Sequence, residues 1–332
     1  MISLSNPPRR ADTSPLESQR PSTTSHGGPP PPRLPALRRV LGELYYYATY
    51  SGRSWYLRRL AAAGRAPIAV LTFHRIADDR ANRWTMRTRD FVHAIRWLNR
   101  RFEMISLAEL QHRMRGGFNS QAAVCITFDD GYAENGRVAL PLLVELRVPC
   151  TYFVTTDAVL EQKPFVHDAV MGNYHFAPNT AAQLRHWRRA GIEIGAHTRT
   201  HANLGALTDR RRLVDEIVTS RVELESALGE PVRYFAFPFG SPENLSREAF
   251  DVALEAGYAG ACSAYGRWNY PGDNPFHIRR RCVDGPPNRA KNWAMIDPIR
   301  EGSLPDFVYR DEGTHWPQGP RRSTVDQPIS RI

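Results

Sequence analysis

Short apolar runs and stretches of helical spacing take turns along this chain. Residues 66–76, 122–126, 150–154, 192–196 and 233–239 are nearly continuous in β-branched, aromatic and other apolar side chains. That is the pattern of strands buried on both faces. Between or beside them, residues 90–98, 137–146, 179–190, 208–228 and 246–256 place apolar residues at helical spacing. Strand and helix in alternation argue for a parallel sheet with helices packed outside it. A further strand is expected over 279–284, and the aromatic and apolar stretch 163–171, which has no clean period, reads as a loop over the mouth of a site at the strand ends.

The ends of the chain break this rhythm. Residues 1–33 are rich in Pro, Ser, Thr and Arg, include Pro29 to Pro32 in a row, and read as a disordered tail. Residues 34–65 mix Leu, Tyr and Trp with Arg38, Arg39, Arg53, Arg58 and Arg59, the makeup of a basic amphipathic helix. Such a helix suits an anionic membrane surface, and the other reading is a helix packed outside the domain. Residues 66–298 form the main domain, and 299–332 turn polar and Pro-rich again, as a loosely ordered tail.

A length of 332 residues with 42% hydrophobic content is ample for one large domain plus tails. Residues 1–65 hold about ten arginines against three acids, so most of the net charge of +10 lies outside the main domain. No nucleic-acid-binding motif accompanies that charge, and no nucleic acid is expected as a partner. Near Met1 no apolar run is long enough for a signal peptide, and none elsewhere is long enough to span a bilayer. The expectation is therefore a cytoplasmic protein, membrane-associated through residues 34–60. The four cysteines have neither metal-type nor redox spacing, and Cys125 and Cys150 read as buried free thiols.

The chemistry gathers at predicted strand ends. Asp129 and Asp130 follow the run 122–128, and consecutive side chains there point in different directions. One carboxylate can bind a metal while its neighbour takes a proton. His197 and His201 follow the run 192–196; a helical turn starting at His197 would put both imidazoles on one face, close enough to share an ion. One carboxylate and two histidines leave open positions, as a hydrolytic metal site requires. Thr198 and Arg199 stand where a zincin would carry its glutamate, which disfavours metalloprotease chemistry. The run 233–239 stops at Pro238 and Gly240, which allow backbone N–H groups to face a ligand. Functional residues at successive strand ends favour closure of the sheet into a barrel.

Thr127-Phe128-Asp129-Asp130-Gly131-Tyr132, His197-Thr198-Arg199-Thr200-His201 and Phe235-Ala236-Phe237-Pro238-Phe239-Gly240 come in the order of the polysaccharide deacetylases with a NodB-homology domain, carbohydrate esterase family 4. The chain resembles that family over roughly residues 66–290. The resemblance implies an α/β fold, a distorted (β/α) barrel of fewer than eight strand–helix units. It implies metal-dependent removal of N-acetyl groups from amino sugars of a polysaccharide or glycan precursor. Asp129 would be the general base, and Asp130, His197 and His201 the ligands of one divalent ion, zinc first, nickel or cobalt as alternatives. The backbone N–H of Phe239, between Pro238 and Gly240, would help form the oxyanion hole.

Two departures carry expectations of their own. Many members have an arginine where this chain has Ala236, so Asp129 needs another partner to orient it. Many also carry a Leu-x-His motif whose histidine is the general acid, and no convincing copy follows Gly240. His277 sits in a strand-like run and His315 in the polar tail. Upstream, Phe73-His74-Arg75 is similar to a segment of the branch that includes the poly-N-acetylglucosamine deacetylases, which makes His74 the candidate acid. Asp284, at the end of 279–284, is placed to orient a base or a sugar hydroxyl, or to form an ordinary salt bridge. Rival readings are hydrolysis of a small non-glycan amide at the same site, an inactive carbohydrate-binding homologue, and a basic scaffold.

Overall fold

The structure, a computed structural model, describes residues 36–310, with side chains from residue 40 onward. Its strands are β1 (Ile68–Phe73), β2 (Arg75–Ile76), β3 (Thr85–Met86), β4 (Glu103–Met104), β5 (Ala123–Phe128) and β6 (Cys150–Val154), then β7 (Glu193–Ala196), β8 (Tyr234–Ala236), β9 (Gly260–Cys262), β10 (His277–Ile278) and β11 (Arg281–Cys282). All but β2 and β3 join one parallel sheet in the order β10-β9-β8-β7-β6-β5-β1-β11, with β4 also paired to β5. The end strands β10 and β11 are separated in the sequence only by Arg279 and Arg280. The chain itself thus links the two sheet edges, giving the distorted (β/α) barrel expected.

Helices α1 (Ala36–Ala62), α2 (Thr88–Asn99), α3 (Leu107–Arg115), α4 (Ala139–Glu145), α5 (Thr156–Glu161) and α6 (Val166–Ala169) occupy the first half. The second half holds α7 (Ala181–Arg189), α8 (Arg210–Val214), α9 (Ser220–Leu228), α10 (Arg247–Glu255), α11 (Pro287–Ala294) and α12 (Pro298–Glu301). The five helices expected from spacing all form. In α2, Phe91, Ala94, Ile95 and Leu98 are the buried stripe at i, i+3, i+4 and i+7. Each large member contributes about 1.5–3 kcal/mol on burial. A π-helical turn, Asp215–Thr219, joins α8 to α9.

Period-two alternation along the strands separates two cores. Ile68, Val70, Ala123, Cys125, Phe153, Tyr234, Ala236, Cys262 and Ile278 pack together on one face. Their alternates, such as Leu71, Phe73, Ile126, Phe128, Tyr152 and Phe235, join the helices in the larger core. Leu107, Leu110 and Met114 of α3, a helix not expected from the spacing, complete the smaller core. Gln111 on α3 donates to the Ala259 and Pro275 carbonyls and accepts from Tyr234 Oη, which satisfies its buried amide.

Register positions the functional residues. Phe73 pairs with Phe128 at the ends of β1 and β5, so His74 and Asp129 emerge side by side. Val154 pairs with Ala196 at the ends of β6 and β7, and the N–H of His197 continues that ladder to the Val154 carbonyl. Ala196 pairs with Phe235, so the segment after β8 leaves at the same level. At the C-terminal side, Phe307 and Tyr309 stack on Phe250 of α10. Residues 1–35 and 311–332, including the expected tail 1–33 and His315, lie outside the described residues.

Candidate active site

Asp129 is the first residue beyond β5, on the face that carries Cys125 and Thr127. Its two carboxylate oxygens meet Arg280 as a fork, Oδ1 to Nη1 at 2.6 Å and Oδ2 to Nη2 at 3.0 Å. Arg280 is fully buried, donates also to the Ser263 carbonyl, Thr72 Oγ1 and Thr127 Oγ1, and lies over the Phe153 ring. Burial pushes the Asp129 carboxyl up, and the Arg280 charge outweighs it, so the group stays below the usual carboxylate range. Arg280 is the partner that Ala236 does not supply. It sits in the run 279–284 that reads as a strand, with nothing local to mark it.

Asp130 turns the other way. Its backbone is left-handed, φ +71°, as is that of Gly131 at +102°. Its Oδ1 lies 3.3 Å from His201 Nε2 and 3.6 Å from His197 Nε2, while Oδ2 is 3.5 Å from His167 Nε2. Oδ1 is buried and has no hydrogen-bond partner among the described residues. Burial raises the carboxyl and the surrounding imidazoles outweigh it, holding it ionised well below its usual range.

His197 and His201 meet there, but not on a helix. Residues 197–203 form no helical turn; Thr198 and His201 have φ of +60° and +65° and fold the segment into a tight loop. Glu216, on the π-helical turn, holds that loop by accepting from the N–H groups of Arg199 and Thr200 and from Thr200 Oγ1. Local spacing alone could not show this, because the template lies on another element. A π turn that aims one such side chain inward is a recurrent functional device.

The donor set fits a divalent ion. His197 Nδ1 is 2.8 Å from the Ala236 carbonyl, which takes its proton and frees Nε2, the usual outer partner of a metal-ligating imidazole. Burial drives the His197 imidazole down to about 4, so the ring is neutral at neutral pH. A neutral imidazole and an ionised carboxylate are the protonation states that metal binding needs.

His74 stands on the opposite wall. Asp284 accepts from its N–H at 3.1 Å and meets its Nδ1 at 2.6 Å. That contact assigns the Nδ1 proton to the pair and turns Nε2 outward. Burial pushes the imidazole down, but the charge and hydrogen bond of Asp284 prevail and hold it well above the ordinary histidine value. His277, by contrast, is a buried strand residue paired with Ser263.

Phe239 has φ +63° and is half exposed. Its N–H has no protein acceptor among the described residues, whereas Gly240 N–H turns back to the Pro238 carbonyl. His74, Asp129, Asp130, His197, His201 and Phe239 all line one cleft of about 650 Å³. Trp84 and, from the 163–171 stretch, Val166, His167, Val170 and Met171 form the rest of its rim. The sequence reading puts the stretch 163–171 over the mouth of the site but singles out neither His167 nor Trp84.

Residues 117–261 match the model of the polysaccharide deacetylase family. The chain is 23% identical over 195 residues to YxkH of Bacillus subtilis (strain 168), named as a polysaccharide deacetylase, a match covering 58% of this chain. It spans about 63% of that relative's length. Among solved structures, IcaB from Ammonifex degensii superposes with a TM-score of 0.58 at 22% identity, covering 69% of this chain and 97% of that one. The Streptococcus pyogenes deacetylase PplD, solved with acetate, gives 0.58 at 17% identity, covering 70% and 100%. With the motifs in order and the fold shared, residues 117–261 match a polysaccharide deacetylase domain.

Proposed function

We propose that the protein hydrolyses N-acetyl groups on amino sugars of a polysaccharide or glycan precursor with the help of one divalent ion, zinc first. The observation that carries this reading is the pairing of two differently prepared carboxylates. Asp129 is fixed by Arg280, beside Asp130, whose unpartnered Oδ1 faces two imidazoles. Asp130, His197 and His201 would hold the ion. When bound, such an ion supplies Lewis-acid activation of water and of the amide carbonyl.

Each remaining task falls to a side chain or backbone group of this chain. Asp129, kept ionised and unable to rotate, takes the proton from the attacking water. The Phe239 N–H is the backbone donor available to the developing oxyanion. His74, protonated through Asp284, gives its Nε2 proton to the leaving amine, without which the tetrahedral adduct reverts. Trp84 and Phe239 offer aromatic surface for a sugar ring at the mouth.

The test combines metal analysis by mass spectrometry with acetate release from N-acetylglucosamine oligomers. Wild type is expected to hold about one metal per chain and to release acetate, both lost in Asp130→Ala. Asp129→Asn and His74→Ala are expected to keep the metal and lose about 10²–10⁴ in turnover. Metal loss in Asp129→Asn with turnover surviving would reverse the roles. Metal without acetate from any glycan would move the substrate to other amides.

We further propose an anionic lipid surface as a partner of α1. Val40, Leu41, Leu44, Tyr47 and Trp55 are all more than half exposed and recur on one outward helical face that ends in exposed Arg58 and Arg59. No described helix is long and apolar enough to cross a membrane.

A further inference from the structure

His167 has no place in the chemistry so far, yet it lies against the metal-binding carboxylate. It arrives on α6, within the loop between β6 and α7, far from both site motifs. One nitrogen of His167, one of His201 and one oxygen of Asp130 all lie within 4.8 Å of one another. The His167 and His201 rings are 4.5 Å apart between centroids, closer than His197 and His201 at 5.1 Å.

The ring is held from several sides. Trp84 meets it edge-on at 5.1 Å and Phe165 stacks at 5.8 Å. Tyr132 Oη lies 2.9 Å from His167 Nε2 and gives its single proton to Asp168 Oδ2 at 2.6 Å. The same Nε2 faces the site, 3.5 Å from Asp130 Oδ2, so an ion taken up there would replace the Nε2 proton. The outer nitrogen, Nδ1, is buried with no partner among the described residues. The Tyr132–Asp168 pair and the packed rings fix Nε2 toward the Asp130 carboxylate, the orientation a metal-ligating imidazole needs.

We infer that His167 is a third imidazole donor to the ion held by Asp130, His197 and His201. This rests on the metal site of the preceding section and adds a protein ligand from the loop that overhangs it. The consequence is a more enclosed ion, with one of its outer positions taken by a residue of the overhanging loop. A ligand set of one carboxylate and three imidazoles also leaves fewer positions for water than the three-ligand set.

The readout is cobalt(II) binding to the chelator-stripped full chain, followed by calorimetry and by the visible absorption of the bound ion. His167→Phe keeps a ring between Trp84 and Phe165; His167→Gln keeps a donor to Tyr132. Both variants are expected to bind cobalt at least about tenfold more weakly than wild type and to show an altered visible band. Far-ultraviolet circular dichroism should be unchanged in both. Wild-type affinity and band in both variants would overturn the inference. So would a loss in His167→Phe that His167→Gln restores, since the ring would then serve only to hold Tyr132. If wild type itself binds no cobalt, the metal site falls, and the third ligand with it.

Discussion

Arg280, in the link between β10 and β11, binds Asp129 at the end of β5, and neither could be buried alone. An unpaired carboxylate at this depth costs about 3–5 kcal/mol when its partner is removed. Arg280→Met should therefore destabilise the fold by about that amount and lower turnover at least about 10²-fold, with metal content unchanged. Partial return of turnover on adding guanidinium would tie the loss to the missing fork; no return, with the metal also gone, would make Arg280 a structural plug only. For Asp284→Asn the sign follows from His74. Its folded pKa is raised, so the pair's stabilisation is complete below the unfolded value of about 6.5 and fades as pH rises through the folded one. Removing the carboxylate lets His74 lose its proton at lower pH. The alkaline limb of the kcat/KM profile should then move down in pH, and an unmoved limb would exclude His74 as the acid. Asp129, Asp130, His197 and His201 were legible in the sequence because each lies within a short motif ending an apolar run. Arg280, Glu216 and His167 were not, because distant elements deliver them.

At the scale of elements, the site is made where parallel strands stop. The strands end level, and the chain then leaves through left-handed residues: Asp130 and Gly131 after β5, Thr198 and His201 after β7, Phe239 and Gly240 after β8. Runs of apolar residues predict where such strands stop but not the φ angles of their exits. Hence helical spacing at His197 and His201 suggested a helix where Glu216 enforces a loop. Gly240 shows how tight these exits are. It has φ +65°, and a Cβ there would meet Ala264 Cβ and N at 2.6 Å, with no flexible end to yield. Gly240→Ala should cost about 1–2 kcal/mol in backbone strain and about 1–3 kcal/mol in overpacking. The sum, about 2–5 kcal/mol, would appear in urea unfolding. A loss below about 1 kcal/mol would mean that the 238–240 turn can move, and a movable N–H is a poor oxyanion donor.

Across the whole molecule, α1 is clamped to the barrel by one face and leaves the other uncovered. Arg53, buried, donates to the carbonyls of Asn292, Met295 and Ile296, and Tyr46 packs against Trp97. That clamp fixes which side of the helix looks outward. The outward side is the apolar one, Val40, Leu41, Leu44 and Tyr47, continuing to Trp55 above a basic end. On a water-facing helix this is the reverse of the usual pattern, and exposed apolar patches bordered by charge mark contact sites. Glu43 is the one acid between residues 36 and 62, against five arginines there, so anionic headgroups fit the charge. The full chain should sediment with vesicles containing phosphatidylglycerol at low salt, and less so as salt screens the arginines. Joint replacement of Val40, Leu41 and Leu44 by Asp should reduce that binding more than tenfold while leaving the melting temperature near wild type, since none of the three is buried. Equal binding to neutral phosphatidylcholine would remove the electrostatic half of the argument. Dimer formation by wild type that the triple variant abolishes, without any vesicle binding, would give the stripe to a second copy of the chain instead.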